Sequence, residues 1–172
     1  MNAPEDAYLK SVFYEQLVEH VFIAEVLQEA WYTFGMTAEV LRSEIDAFGY
    51  DLVFECNGKV RHVQLKASKH DAKASGQKVN VALAKKPSGC VVWVFRHEEE
   101  DTNRMQLAFR FFGGKAGKPL PSLAGFKVAR HTKGNADGEK LERKAIRVVP
   151  KREFKKVENI RALVTILFGL KE

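Results

Sequence analysis

Cysteine is scarce, and that narrows the covalent options first. Cys56 and Cys90 are the two in 172 residues, and neither belongs to a CxxC pair or stands at metal-ligand spacing from a His. A disulfide framework and a zinc-finger site are therefore disfavoured. Both lie in apolar, strand-like runs, so free buried thiols in a reducing cytoplasm are the expectation. No run of about 18 apolar residues occurs, and no membrane span is expected. The opening MNAPEDAYLK is acidic and lacks an apolar signal core, which argues against secretion. The five histidines make no HExxH or HxH, and there is no GxSxG elbow. Gly113-Gly114 with Gly117 is not followed by the Lys-Ser/Thr of a phosphate loop. Zinc-peptidase, α/β-hydrolase and P-loop chemistries are set aside.

Charge is present in quantity but unevenly. The chain carries a net +6. Residues 1–50 hold two basic and nine acidic residues, residues 51–114 eleven and seven, and residues 115–161 fourteen and five. An acidic start followed by a basic remainder is the electrostatic footprint of a polyanion binder.

The most informative stretch is Gly49 to Ser68, GYDLVFECNGKVRHVQLKAS. Two runs rich in β-branched and aromatic residues flank Asn57-Gly58, a strong signal for a two-residue hairpin turn. With those two in the turn, Cys56 faces Lys59 and Asp51 faces Gln64. Residues so opposed have Cβ atoms about 4.5–5.5 Å apart. Lys66 follows Gln64 by two and points the same way. Tyr50, Leu52, Phe54, Val63 and Leu65 form the opposite, apolar face. One hairpin thus brings an acid, an amide and an amine to one side.

Asp51, a turn, then Gln64-Leu65-Lys66 resembles the PD-(D/E)xK nuclease superfamily, with Gln where that family most often has Glu. The resemblance runs from about Phe22 to Phe95. Members commonly carry a helix Glu before the hairpin, and Glu25 falls within the apolar stripe of a long amphipathic helix expected over Lys10 to Phe34. Glu19 and Glu29 compete with it. The resemblance implies an α/β, restriction-endonuclease-like mixed β-sheet flanked by helices, in a single domain over residues 1–172. Its core is about 10–112, with a basic C-terminal portion over 113–172. It further implies Mg²⁺ (or Mn²⁺) held by Asp51, Glu25, the Gln64 carbonyl oxygen and the Leu65 backbone carbonyl. Lys66 would orient the attacking water or stabilise charge near the phosphate. The implied activity is phosphodiester hydrolysis of nucleic acid, DNA before RNA, as a cytoplasmic endonuclease; a homodimer would let two sites cut both strands. The competing reading is a catalytically inactive nucleic-acid-binding module of the same fold. Lys69, Lys73, Lys78, Lys127, Arg130 and Lys133 are the expected nucleic-acid contacts.

Elsewhere, Met36 to Ser43 is expected to be a first strand, with Asp46 beyond it as a turn residue or an extra ligand. Ser68 to Gly76 reads as a basic loop, Gln77 to Lys86 as a short helix, and Cys90 to Phe95 as a central strand covered on both faces. His97 to Asp101 reads as an acidic turn and Met105 to Phe112 as a strand. Gly113 to Pro121 reads as an internal loop, and Phe126 to Lys144 as basic and turn-rich with a tip near Gly134-Asn135. Ala145 to Val149 is expected as a strand and Asn159 to Leu170 as a final helix.

Overall fold

A computed structural model describes residues 3–45, 47–99, 101, 104–132 and 138–170. The first helix, α1 (Ala3–Tyr32), begins well before Lys10, with Pro4 in its first turn, where a missing N–H costs nothing. It ends ahead of Gly35, whose φ of 64° is left-handed. Val18, Phe22, Val26 and Ala30 repeat every fourth residue and are fully buried.

A six-stranded sheet follows, with strands β1 (Ala38–Arg42), β2 (Leu52–Cys56), β3 (Lys59–Lys69), β5 (Cys90–Glu99), β6 (Arg104–Gly113) and β9 (Lys155–Val157) side by side in that order. Between β3 and β5 comes β4 (Gly76–Asn80), and between β6 and β9 come β7 (Lys127–Arg130) and β8 (Glu142–Pro150). The pair β3 and β5 is parallel and the remaining neighbours are antiparallel, so the sheet is mixed. The hairpin register is the one expected: Cys56 faces Lys59 and Leu52 faces Val63. Asn57 and Gly58 have φ of 51° and 66°, the paired positive values that an Asn-Gly hairpin turn requires.

The two faces of this sheet are covered differently. Against one face pack α1 and α2 (Ile160–Phe168), burying Leu52, Phe54, Val63, Val92 and Val94 with Leu163, Val164 and Leu167. Asn159 caps α2 through its side chain to the Ala162 amide at 2.9 Å. Arg161 reaches back to Glu29 at 3.0 Å. Burial acts to raise the Glu29 carboxyl, but hydrogen bonds from Thr33 and Arg161 and the Arg161 charge outweigh it, and the net shift is downward. The other face carries no α-helix among the described residues. A second sheet, ordered β4-β8-β7, covers it and buries Val91, Trp93 and Phe95 with Val79, Val149 and Phe154.

Several expectations change. Gln77 to Lys86 is no helix: Gly76–Asn80 pairs with β8, and only Val81–Lys85 turns, as a 3₁₀ helix capped by Asn80. The expected acidic turn is mostly strand, because β5 continues to Glu99. The turn-rich stretch contains β7, whose four residues are too short to show a period, and β9 is equally short. The tip at Gly134-Asn135 and the residue Asp46 lie outside the described residues. Tyr50 leaves the Leu52 face. Gly49, at φ 73°, bends the chain, and Tyr50 packs on the second core with its ring 4.9 Å from His62.

The glycine-rich stretch after β6 is held rather than loose. Fully buried Arg61 donates to the carbonyls of Gly114 (2.9 Å) and Lys115 (3.2 Å) and to the Ser88 hydroxyl (2.8 Å), and its guanidinium lies 5.3 Å from the Phe111 ring centre. Cys56 and Cys90 are free and buried, and burial pushes both thiols up, Cys90 to about 11. The chain forms one α/β domain with a mixed sheet, and no described helix is long and apolar enough to cross a membrane.

Candidate active site

The hairpin ladder ends at Leu52, and Asp51 begins a different pattern. Its amide donates to the Val63 carbonyl at 2.9 Å, while its Oδ2 accepts from the Leu65 amide at 2.6 Å. These two bonds straddle Gln64, so the acid sits over the middle of β3 where the register expectation put it. A carboxylate bonded to a backbone N–H is a charge-assisted and well-positioned acceptor.

Asp51, Leu65, Lys66 and Ala67 form one wall of a cleft of about 340 Å³, and Glu15, Val18 and Glu19 of α1 form the other. Glu15 and Glu19 are four residues apart and so share a helix face. Arg42 of β1 pairs with Glu19 at 2.9 Å and steadies it at the rim. Glu25 does not line this cleft. Six residues beyond Glu19, it lies about 9 Å further along the helix and well round its circumference. Half-buried, it has its carboxyl pushed up from 4.5 to about 7 by desolvation. The helix acids that accompany Asp51 are thus Glu15, which periodicity did not single out, and Glu19, which it named as a competitor.

Gln64 stands apart from the cleft lining. It pairs with Val91 and Lys66 pairs with Trp93, so both start from the face that carries the second sheet. Gln64 is 4% exposed, and its Oε1 has no hydrogen-bond partner. A buried acceptor left without a hydrogen bond is costly. His62 is used structurally: its Nδ1 donates to the Pro87 carbonyl at 2.8 Å.

Among the described residues, no group of three or more His, Cys, Asp or Glu stands close enough to hold a metal ion. All the donors at the cleft are oxygens, the kind that Mg²⁺ and Mn²⁺ take, and Mg²⁺ is commonly held by one or two carboxylates with water completing its shell. The kind of donor suits such an ion, and Asp51 with one helix acid would be the residues to hold it.

The expected nucleic-acid contacts divide into two groups. Lys69 is exposed at the end of β3, with Lys73 exposed in the following loop. Lys78 and Lys127, far apart in sequence, both pair with Val148 and so sit in one row across the second sheet. Two strand spacings separate them, roughly 10 Å. Arg130 is exposed at the end of β7, and Lys133 lies outside the described residues. Compared with known proteins, the chain matches no family model, no curated protein and no solved structure.

Proposed function

We propose that the chain is a restriction-endonuclease-like, metal-dependent nuclease that hydrolyses phosphodiester bonds, DNA before RNA, at the cleft between α1 and β3. The observation that carries this reading is the Asp51 carboxylate fixed on β3 beside Lys66 and across a cleft from Glu15 and Glu19. The order within the large sheet adds support: after the helix come three antiparallel strands, and then, once the chain has passed through β4 of the second sheet, a strand parallel to the third. Asp51 with Glu19 or Glu15 would hold Mg²⁺, which when bound supplies a Lewis acid for the phosphate. Lys66 orients the water and stabilises the negative charge that grows on the phosphoryl oxygens. The Leu65 amide keeps Asp51 aimed into the cleft, and Arg42 does the same for Glu19.

A second reading, a nucleic-acid-binding module without catalysis, is favoured by one observation. The position where the resemblance expects a third acid is a buried amide, Gln64, outside the cleft lining. Cleavage of supercoiled plasmid and of single-stranded DNA with Mg²⁺ or Mn²⁺ separates the two. Cutting that disappears with EDTA and with Lys66→Ala supports the nuclease. DNA bound but uncut supports the module.

A further inference from the structure

The acid-lined cleft does not end at Ala67. It shares Glu15, Val18 and Ala67 with a second cleft of about 360 Å³ whose walls bring three cations, Lys10, Lys69 and Arg96, against one carboxylate, Glu15. That cleft shares Lys69 and Arg96 with a third, whose walls add His70 and His97 together with the carboxylates Asp71 and Glu98. The three thus lie side by side in a row along the rim between α1 and the ends of β3 and β5. Charge changes along it from acidic at Asp51 to basic at Lys69, about 13 Å away at the rise of a β-strand from Leu65.

Aromatic rings accompany the cations. Arg96 is set in place by the Tyr14 ring, 4.3 Å from its guanidinium carbon, and by Glu98 at 3.0 Å. Phe13, next to the cleft lining rather than in it, stands edge-on to Tyr14 with ring centres 6.1 Å apart and is 61% exposed. At the far end the exposed His70 and His97 rings pack 5.6 Å apart. A duplex keeps its bases stacked inside and offers rings nothing to stack on. A cationic track edged by exposed rings is the arrangement that holds unpaired nucleotides, cations on phosphates and rings on bases.

Building on the nuclease reading, we infer that this row of clefts takes a single-stranded polynucleotide segment. The phosphates on one side of the reacting bond would meet Lys10, Lys69 and Arg96, and a base would stack on Phe13. Binding measured in EDTA with fluorescent oligothymidine, oligouridine and a DNA duplex of the same length tests it, since no metal-dependent cutting is then involved. The wild-type protein is expected to prefer at least one single strand to the duplex, and the better of the two names the sugar. Combined Lys10→Gln and Lys69→Gln should weaken that binding at least tenfold at low salt. It should also reduce the slope of log affinity against log salt by about 1.4. Phe13→Ala, an exposed change that leaves the fold intact, should cost about tenfold on the single strand and nothing on the duplex. A wild-type preference for duplex, or single-strand affinity unmoved by both variants, overturns the inference. Single-strand binding that depends on these residues, in a protein that never cuts, keeps the inference and removes the nuclease. Metal-dependent cutting with unchanged affinity in both variants does the reverse.

Discussion

The carboxylate of Asp51 accepts a hydrogen bond from the amide of Leu65, 14 residues later, at 2.6 Å. The bond to a backbone amide helps to place the acid, and an isosteric amide tests its charge apart from its shape. Asp51→Asn keeps an acceptor oxygen for the amide and removes the charge. It should leave the melting temperature nearly unchanged and lower plasmid cleavage at least about a hundredfold. Asp51→Ala should lose the same activity and roughly 1 kcal/mol of stability as well. Full cleavage by the Asn variant would remove Asp51 from the site.

The helix acid is tested by a pair of variants. Glu19→Gln, at the cleft, should reduce cleavage about tenfold or more, and Glu15→Gln should add to the loss if both acids reach the ion. Glu25→Gln should cut as the wild type does. The opposite ranking would restore the residue that the helix stripe suggested.

Glu25 has a different signature, in stability. Its carboxyl is raised from 4.5 to about 7 by burial, so between those values the folded chain holds a proton that the unfolded chain has released. Its favourable contribution is complete below pH 4.5 and is lost as pH rises through about 7. Denaturant unfolding at pH 4.5 and pH 8 should show Glu25→Gln more stable than wild type at the higher pH only, by about 1–2 kcal/mol after solvent screening. Equal effects at both values would show that the acid is not desolvated.

What the sequence made legible was local. Asn57-Gly58 set the register through its two positive φ angles, and from the register came Asp51 over β3. The central strand was readable because a run apolar on every residue leaves few alternatives. The helix acid was not, because Phe13, Leu17, Val21, Phe22 and Ile23 spread apolar residues around much of α1 and blur which face is inward. Tyr50 was misplaced because strand alternation was carried one residue past the bend at Gly49. The second sheet was hidden for another reason: β4 meets β8 across more than 60 residues, and no local period announces such a pairing.

Arg61 tests how firmly the glycine-rich stretch is held. With its guanidinium bonded to Ser88, Gly114 and Lys115 in a fully buried position, Arg61→Ala strands several acceptors at once. A loss on the order of 3 kcal/mol is expected in denaturant unfolding. Lys115→Ala, which keeps the backbone carbonyl, should cost almost nothing. A small effect for Arg61→Ala would mean the stretch is anchored elsewhere.

Strand β5 belongs to both cores at once, with Cys90, Val92 and Val94 turned to the helices and Val91, Trp93 and Phe95 to the second sheet. Neither layer can melt without stripping one side of the same strand, so the two layers are expected to unfold in a single cooperative transition. Amide hydrogens of Val91 to Val94 should then exchange with solvent only when the whole chain opens, more slowly than those of β1 or β7 at the margins. The acidic and basic regions thus hang on one common mechanical spine, and damage to either is felt in the other.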